Sequence, residues 1–161
     1  MARQRVIAVV GPGADASEEI CAIAYDVGVL LARREFVVVN GGLGGVMEAA
    51  ARGAGEGGGV VIGLLPGDDR ADANPYLTVA IPTGLGQARN ALVVSAADAV
   101  IAVGGSWGTL SEIALARRAG KPVVCVRGWR VTDDGGRPIT LDMAGSAADA
   151  VETVAVWFTS G

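Results

Sequence analysis

Histidine is absent from the chain of 161 residues. That absence excludes Ser-His-Asp and Cys-His catalysis and every histidine metal site. Lysine occurs once, as Lys121 in "AGKPVV". A pyridoxal-phosphate enzyme needs a Schiff-base lysine in a pocket, whereas Gly120-Lys121-Pro122 reads as a helix exit feeding a strand. The same lysine lacks the upstream glycines of a P-loop. Cysteine is scarce: Cys21 and Cys125 lie far apart, each among apolar neighbours, and read as reduced core thiols of a cytoplasmic protein. No uninterrupted apolar stretch is long enough to span a bilayer. The N-terminal "MARQRVIAVVGPGADA" is basic and then apolar, but its apolar run is short and stops at Gly-Pro-Gly, as a first strand does and a signal peptide does not. Basic runs are missing too. With a net charge of −4 and dispersed charges, neither nucleic acid nor membrane is an expected partner.

What is present is an apolar chain, 51% hydrophobic and long enough to bury a core, most simply as one domain over residues 1–161. Strand and helix patterns alternate. "RVIAVVG" (5–11), "EFVVVNGG" (35–42), "GGVVIGLLPG" (58–67), "DAVIAVGG" (98–105) and "KPVVCV" (121–126) read as strands. Helical spacing runs over 17–34, 45–54, 86–97, 109–120 and 146–158. Ser17 caps the first helix, Glu18 and Glu19 occupy its first turn, and Arg33 and Arg34 close it in accord with the helix dipole. Residues 68–84 form the longest loop, with room for a short strand at 77–81, and 128–140 is a turn-rich connection. Val- and Ile-rich strands alternating with helices predict an α/β, Rossmann-like, doubly wound and mainly parallel sheet with helices on both faces.

Ligands of such folds bind beyond the carboxyl ends of the strands, where three glycine-bearing loops are expected. "GPGADA" matches the loose form Gly-x-Gly-x-x-Ala. A dinucleotide site would want an acid at the end of the second strand, where the sequence offers Asn40, and Asp15 would repel a pyrophosphate. A tight strand-to-helix turn is the better reading, with Gly11, Pro12 and Gly13 as candidate ligand-facing positions. "NGGLGG" carries more glycine than a turn requires, so Gly41, Gly42 and Gly44 are candidates for close backbone approach to a ligand. In "GGSWGTLSE", Gly105, Ser106, Trp107, Gly108 and Thr109 precede Glu112. Two readings compete here. Thr109 and Glu112 form a Thr-x-x-Glu capping box, or free backbone N–H groups hold a phosphate while Glu112 faces a sugar. Asp98 reads as a structural turn contact. Trp107 suits either stacking on a base or packing, and Trp129 and Trp157 suit core or interface.

The ordered stretches "GGLGGVMEAAARGA", "GQARNALVVSAADAVIAVGGSWGTLSE" and "AGKPVV" resemble the Lonely Guy family and its bacterial relatives across most of residues 5 to 126. The resemblance implies cleavage of the N-glycosidic bond of a nucleoside 5′-monophosphate, releasing base and ribose 5-phosphate. It implies Glu112 and Arg89 as catalytic residues, a phosphorylated small-molecule ligand, no metal, no cofactor, and a homo-oligomer, dimer or higher. Where the family motif reads Pro-Gly-Gly-x-Gly-Thr-x-x-Glu, this chain has Gly104 for the proline and Ser106 for the second glycine, and Asn90, a candidate ligand-facing position, stands where the family has lysine. Those departures bring it nearer to a bacterial subgroup that also resembles molybdenum cofactor carrier proteins, which bind a phosphorylated pterin without turning it over. In the hydrolytic reading, ionised Glu112 stabilises an oxocarbenium-like ribose or orients water, and Arg89 grips phosphate or anchors Glu112. No residue is assigned as proton donor to the leaving base.

Overall fold

The computed structural model describes residues 3–159. Its centre is one seven-stranded sheet. The strands are β1 (Val6–Val10), β2 (Val37–Asn40), β3 (Val61–Leu65), β4 (Val79–Pro82), β5 (Ala99–Val103), β6 (Val123–Val126) and β7 (Asp142–Ala144). They lie in the order β4-β3-β2-β1-β5-β6-β7, and every pairing is parallel. The five α-helices are α1 (Glu18–Arg33), α2 (Val46–Glu56), α3 (Arg89–Ala96), α4 (Trp107–Arg118) and α5 (Ala147–Thr159). This is the expected Rossmann-like α/β fold, doubly wound about the β1–β5 neighbourhood.

The two faces of the sheet are covered unequally. Ile7, Val9, Val38, Ile101 and Val124 pack under α1, α2 and α5, while Ala8, Val10, Val100, Ala102 and Cys125 pack under α3 and α4. Alternate residues of β1 and β5 thus feed opposite cores, which is why their sequences are apolar without a break. Because all strands run the same way, the turns after β1, β2 and β5 emerge on one edge. Right-handed crossovers then send the chain from β1 toward β2 and from β5 toward β6, leaving a crevice between the two exits.

Local chemistry fixes several joints. Ser17 caps α1, its side chain accepting from Ile20 N at 3.3 Å. Asp98 accepts from Val6 N at 2.9 Å and lies near Arg3 and Arg5, a structural contact as expected. Lys121 Nζ donates to the carbonyls of Val94, Ser95 and Ala97 at 2.5–2.8 Å, closing the end of α3. A lysine so engaged holds a helix terminus and faces no pocket chemistry. Both cysteines are free thiols, Cys125 buried in β6 and Cys21 partly buried in α1. Among the described residues no helix is long and apolar enough to cross a membrane.

Several boundaries depart from expectation. β2 starts later than residue 35 because Glu35 takes a left-handed turn (φ 59°) after α1. The segment expected to be helical from 86 opens as a tight 3-10 turn, Gly86–Ala88, before α3. The short strand in the long loop is β4, at Val79–Pro82. β7 lies in a stretch without strand pattern, and Thr132 bridges Pro138 antiparallel within the connection before it.

Candidate functional site

The crevice beside β1 and β5 is a cleft of about 210 Å³, floored by Val9 and Val10. Three turns build its walls. The first supplies Gly11 and Gly13 and the second Gly41 and Leu43; Ser106, Gly108 and Thr109 come from the start of α4. The loops interlock. Gly45 sits at φ +66°, and any Cβ there would collide with the carbonyl of Gly13. Asn40, fully buried at the end of β2, accepts from Gly42 N at 2.8 Å and donates to Met47 O at 3.0 Å, pinning the second loop across the start of α2. The residue found where a dinucleotide site wants an acid is therefore a loop brace.

The start of α4 removes the capping-box reading of Thr109 and Glu112. The N-cap is Ser106, whose hydroxyl accepts from Thr109 N at 3.2 Å and lies 2.9 Å from Thr109 Oγ1. The helix begins at Trp107, so the expected Thr109–Glu112 capping box does not form. Gly104 (φ +75°) turns the chain as soon as β5 ends, and serine reaches the cap position first. Glu112 lies beyond the first turn and serves no cap. It is buried instead, 8% exposed, in the wall of the cleft.

Arg89 faces it from the first residue of α3, 5% exposed. Its Nη1 donates to Asn90 Oδ1, and a Cβ at position 41 would stand 2.5 Å from its Nη2, so Gly41 is what admits the guanidinium. Its Nε is buried with no hydrogen-bond partner. No N–O contact within 4.0 Å joins Arg89 to Glu112, yet each feels the other's charge. Burial lowers the Arg89 pKa, partly offset by Glu112. Burial pushes the Glu112 carboxyl up to about 7, against the pull of Arg89.

Of the residues singled out in the sequence, Gly11, Gly13, Gly41, Arg89, Ser106, Gly108, Thr109 and Glu112 line this one cleft. Pro12, Gly42, Gly44, Asn90, Gly105 and Trp107 stand outside its lining. Pro12 receives Val46 N on its carbonyl, Asn90 orients Arg89, and Gly105 is covered by the ring of Trp129. Trp107 projects from the rim, 79% exposed, with its ring edge-to-face on Trp129 at 5.0 Å. Leu43, Met47 and Gln87 also line the cleft, and sequence reasoning missed them. For Gln87 a signal existed, since it lies two residues before Arg89; Leu43 and Met47 carry no chemical mark.

A parallel doubly wound sheet with its crevice beside the switch in strand order defines the Rossmann-like class. Within that class the chain belongs to the SLOG cluster4 family, whose model matches residues 4–153. An uncharacterized protein of Archaeoglobus fulgidus is 46% identical over 131 residues, 78% of this chain and 85% of the relative. Two solved structures are close in shape. The molybdenum cofactor binding protein of the phototrophic bacterium Rippkaea orientalis is 34% identical, with a TM-score of 0.88, covering 98% of this chain and 99% of that one. The molybdenum cofactor carrier protein of Chlamydomonas reinhardtii is 33% identical, with a TM-score of 0.87, covering 98% of this chain and 100% of that one. The family match holds at this broader level and does not single out the Lonely Guy enzymes.

Proposed function

We propose that this protein is a non-catalytic binder or carrier of a phosphorylated heterocycle such as molybdenum cofactor. The neighbouring structures are of proteins named for binding or carrying that cofactor. The observation that carries the reading is the donor set of the cleft: the buried guanidinium of Arg89, in no ion pair with Glu112, beside the start of α4. Such a set serves anion binding. Arg89 brings a guanidinium to the lining, and the start of α4 adds the dipole of a helix N-terminus. The cleft, at about 210 Å³, suits a phosphate and its attached sugar or pyran. The planar heterocycle then projects to the rim that carries Trp107.

N-glycosidic hydrolysis is the second reading, favoured by one observation: Glu112 and Arg89 do share a cleft. Incubation with a panel of nucleoside monophosphates, read as free base, separates the two. The carrier reading expects no base release and saturable binding of a phosphorylated pterin that quenches tryptophan fluorescence. Base release by the wild type that is lost in Glu112→Gln overturns it. The expected homo-oligomer finds its support on the outer faces of α3 and α4, where Leu92 and Leu115 are exposed; light scattering decides it. The cytoplasmic placement rests on the two free thiols.

A further inference from the structure

The cleft contains a chemical mismatch that anion binding alone does not explain. A site built only for a phosphate would not bury a carboxyl opposite its arginine. Glu112 and Arg89 are both more than nine-tenths buried, line one cleft, and form no ion pair with each other. Arg89 spends Nη1 on Asn90 and leaves Nε unused. The cleft is thus lined by a guanidinium and by a carboxyl that do not neutralise each other directly. The other elements around it bring no charge. β1 contributes Val9 and Val10, α2 contributes Met47, and the 3-10 turn contributes Gln87. Among the described residues, Arg89 is the charged group that acts on Glu112.

A phosphate monoester dianion placed there meets a net charge that an ionised Glu112 and Arg89 have already reduced to zero. Two added negative charges would go uncompensated in a desolvated cleft. One proton resolves this. It lets the carboxyl hydrogen-bond the phosphate oxygen instead of repelling it, while the Arg89 guanidinium takes a second oxygen. We propose that Glu112 and the bound phosphate monoester share one proton, so that the cleft takes up its anion together with a proton and prefers phosphate to sulfate. The proton comes from solvent at alkaline pH and leaves again on release. Phosphate is preferred because its monoester oxygen is the stronger base (second pKa about 6) and competes for the shared proton; sulfate oxygens hold it weakly. The proton needs no other group, and the carboxyl already titrates near neutrality before any anion arrives.

This inference rests on the cleft being an anion site, and the experiment separates the two. Ribose 5-phosphate and sulfate are titrated calorimetrically into the wild type, Arg89→Ala and Glu112→Gln between about pH 6 and 9, in buffers of different ionisation enthalpy. The shared proton predicts uptake of about one proton per ribose 5-phosphate at pH 8 and an affinity that falls about tenfold per pH unit above 7. It also predicts that the preference for ribose 5-phosphate over sulfate narrows as pH rises above 7, because sulfate binds with less proton uptake and loses less affinity. In Glu112→Gln the slope and the narrowing vanish. A flat affinity without proton uptake in the wild type, with binding still lost in Arg89→Ala, overturns the shared proton and leaves the anion site standing. No binding of ribose 5-phosphate, or binding untouched by Arg89→Ala, overturns both. The proton count uses the wild type alone, so the result does not depend on the variants folding.

Discussion

At the scale of single residues, Glu112 carries a stability cost that can be measured without any ligand. Its folded carboxyl titrates at about 7, against an ordinary value of 4.5. Between those values the folded chain binds more protons than the unfolded chain. Stability therefore falls as pH rises from about 4.5 to 7 and is level above, a loss of about 3 kcal/mol at most. Glu112→Gln keeps the shape and removes the charge. Thermal melts should find it more stable than the wild type at pH 8, with the gap closing toward pH 4.5 or so. A variant less stable than the wild type at pH 8 would mean that Glu112 is held ionised by partners, contrary to the burial described above. The same residue shows why the sequence misled at this point. Thr109 and Glu112 have the spacing of a capping box, but Ser106 is equally able to cap and comes first in the chain. Two valid local patterns overlapped, and the turn at Gly104 chose between them.

At the scale of elements, α1 and α2 meet backbone to backbone. A Cβ on Gly53 would strike the carbonyl of Tyr25, and one on Gly28 would strike the carbonyl of Ala50. This closeness matters to the site, because α1 follows the first glycine turn and α2 the second. Gly53→Ala gains about 1 kcal/mol of helix propensity but forces two backbones apart, at a cost of about 1–3 kcal/mol. A net destabilisation of up to about 2 kcal/mol in urea unfolding is expected. Gly55→Ala, on the same helix, is the control. Its Cβ would meet nothing nearer than Tyr76 O at 3.9 Å, so the propensity gain of about 1 kcal/mol should appear undiminished. Equal effects of the two substitutions would contradict the close packing. Helix boundaries were the least legible elements. The 3-10 turn Gly86–Ala88 and the late start of β2 depend on how the chain enters and leaves the sheet, which no window of sequence records. β7 is three residues long, Asp-Met-Ala, at the sheet edge. Its place comes from β6 offering an unpaired edge, not from a pattern of its own.

At the scale of the whole molecule, the parallel sheet was legible because β1, β2, β5 and β6 are buried on both faces and so read as unbroken Val, Ile and Ala runs. The convergence of three glycine loops was legible for the same reason: in a parallel sheet all strand exits share one edge. Which loop atoms face the cleft was not. Gly42 and Gly44 read like Gly41, yet Gly42 gives its N–H to Asn40, and Arg89 crosses over Gly41. The first contact is a local turn two residues long, and the second joins residues 48 positions apart. Another site was open in principle: a larger, shallower groove at the opposite end of the sheet, bordered by Arg3, Arg5 and Arg34. Arg3 and Arg5 lie near Asp98, Arg34 pairs with Glu152, and Arg5 also stacks on Phe158. Its arginines have acidic or aromatic partners, unlike Arg89, which has no ion pair.

That contrast gives the most direct test of the central claim, that the cleft between β1 and β5 is where a phosphorylated heterocycle is held intact. The measurement is a crystal structure of the wild-type protein with a phosphorylated pterin. The expected result is an unbroken ligand with its phosphate against the Arg89 guanidinium and Glu112, near the start of α4, and its ring system toward Trp107. A phosphate seated instead among Arg3, Arg5 and Arg34, or a ligand found cleaved in the cleft, would contradict the account.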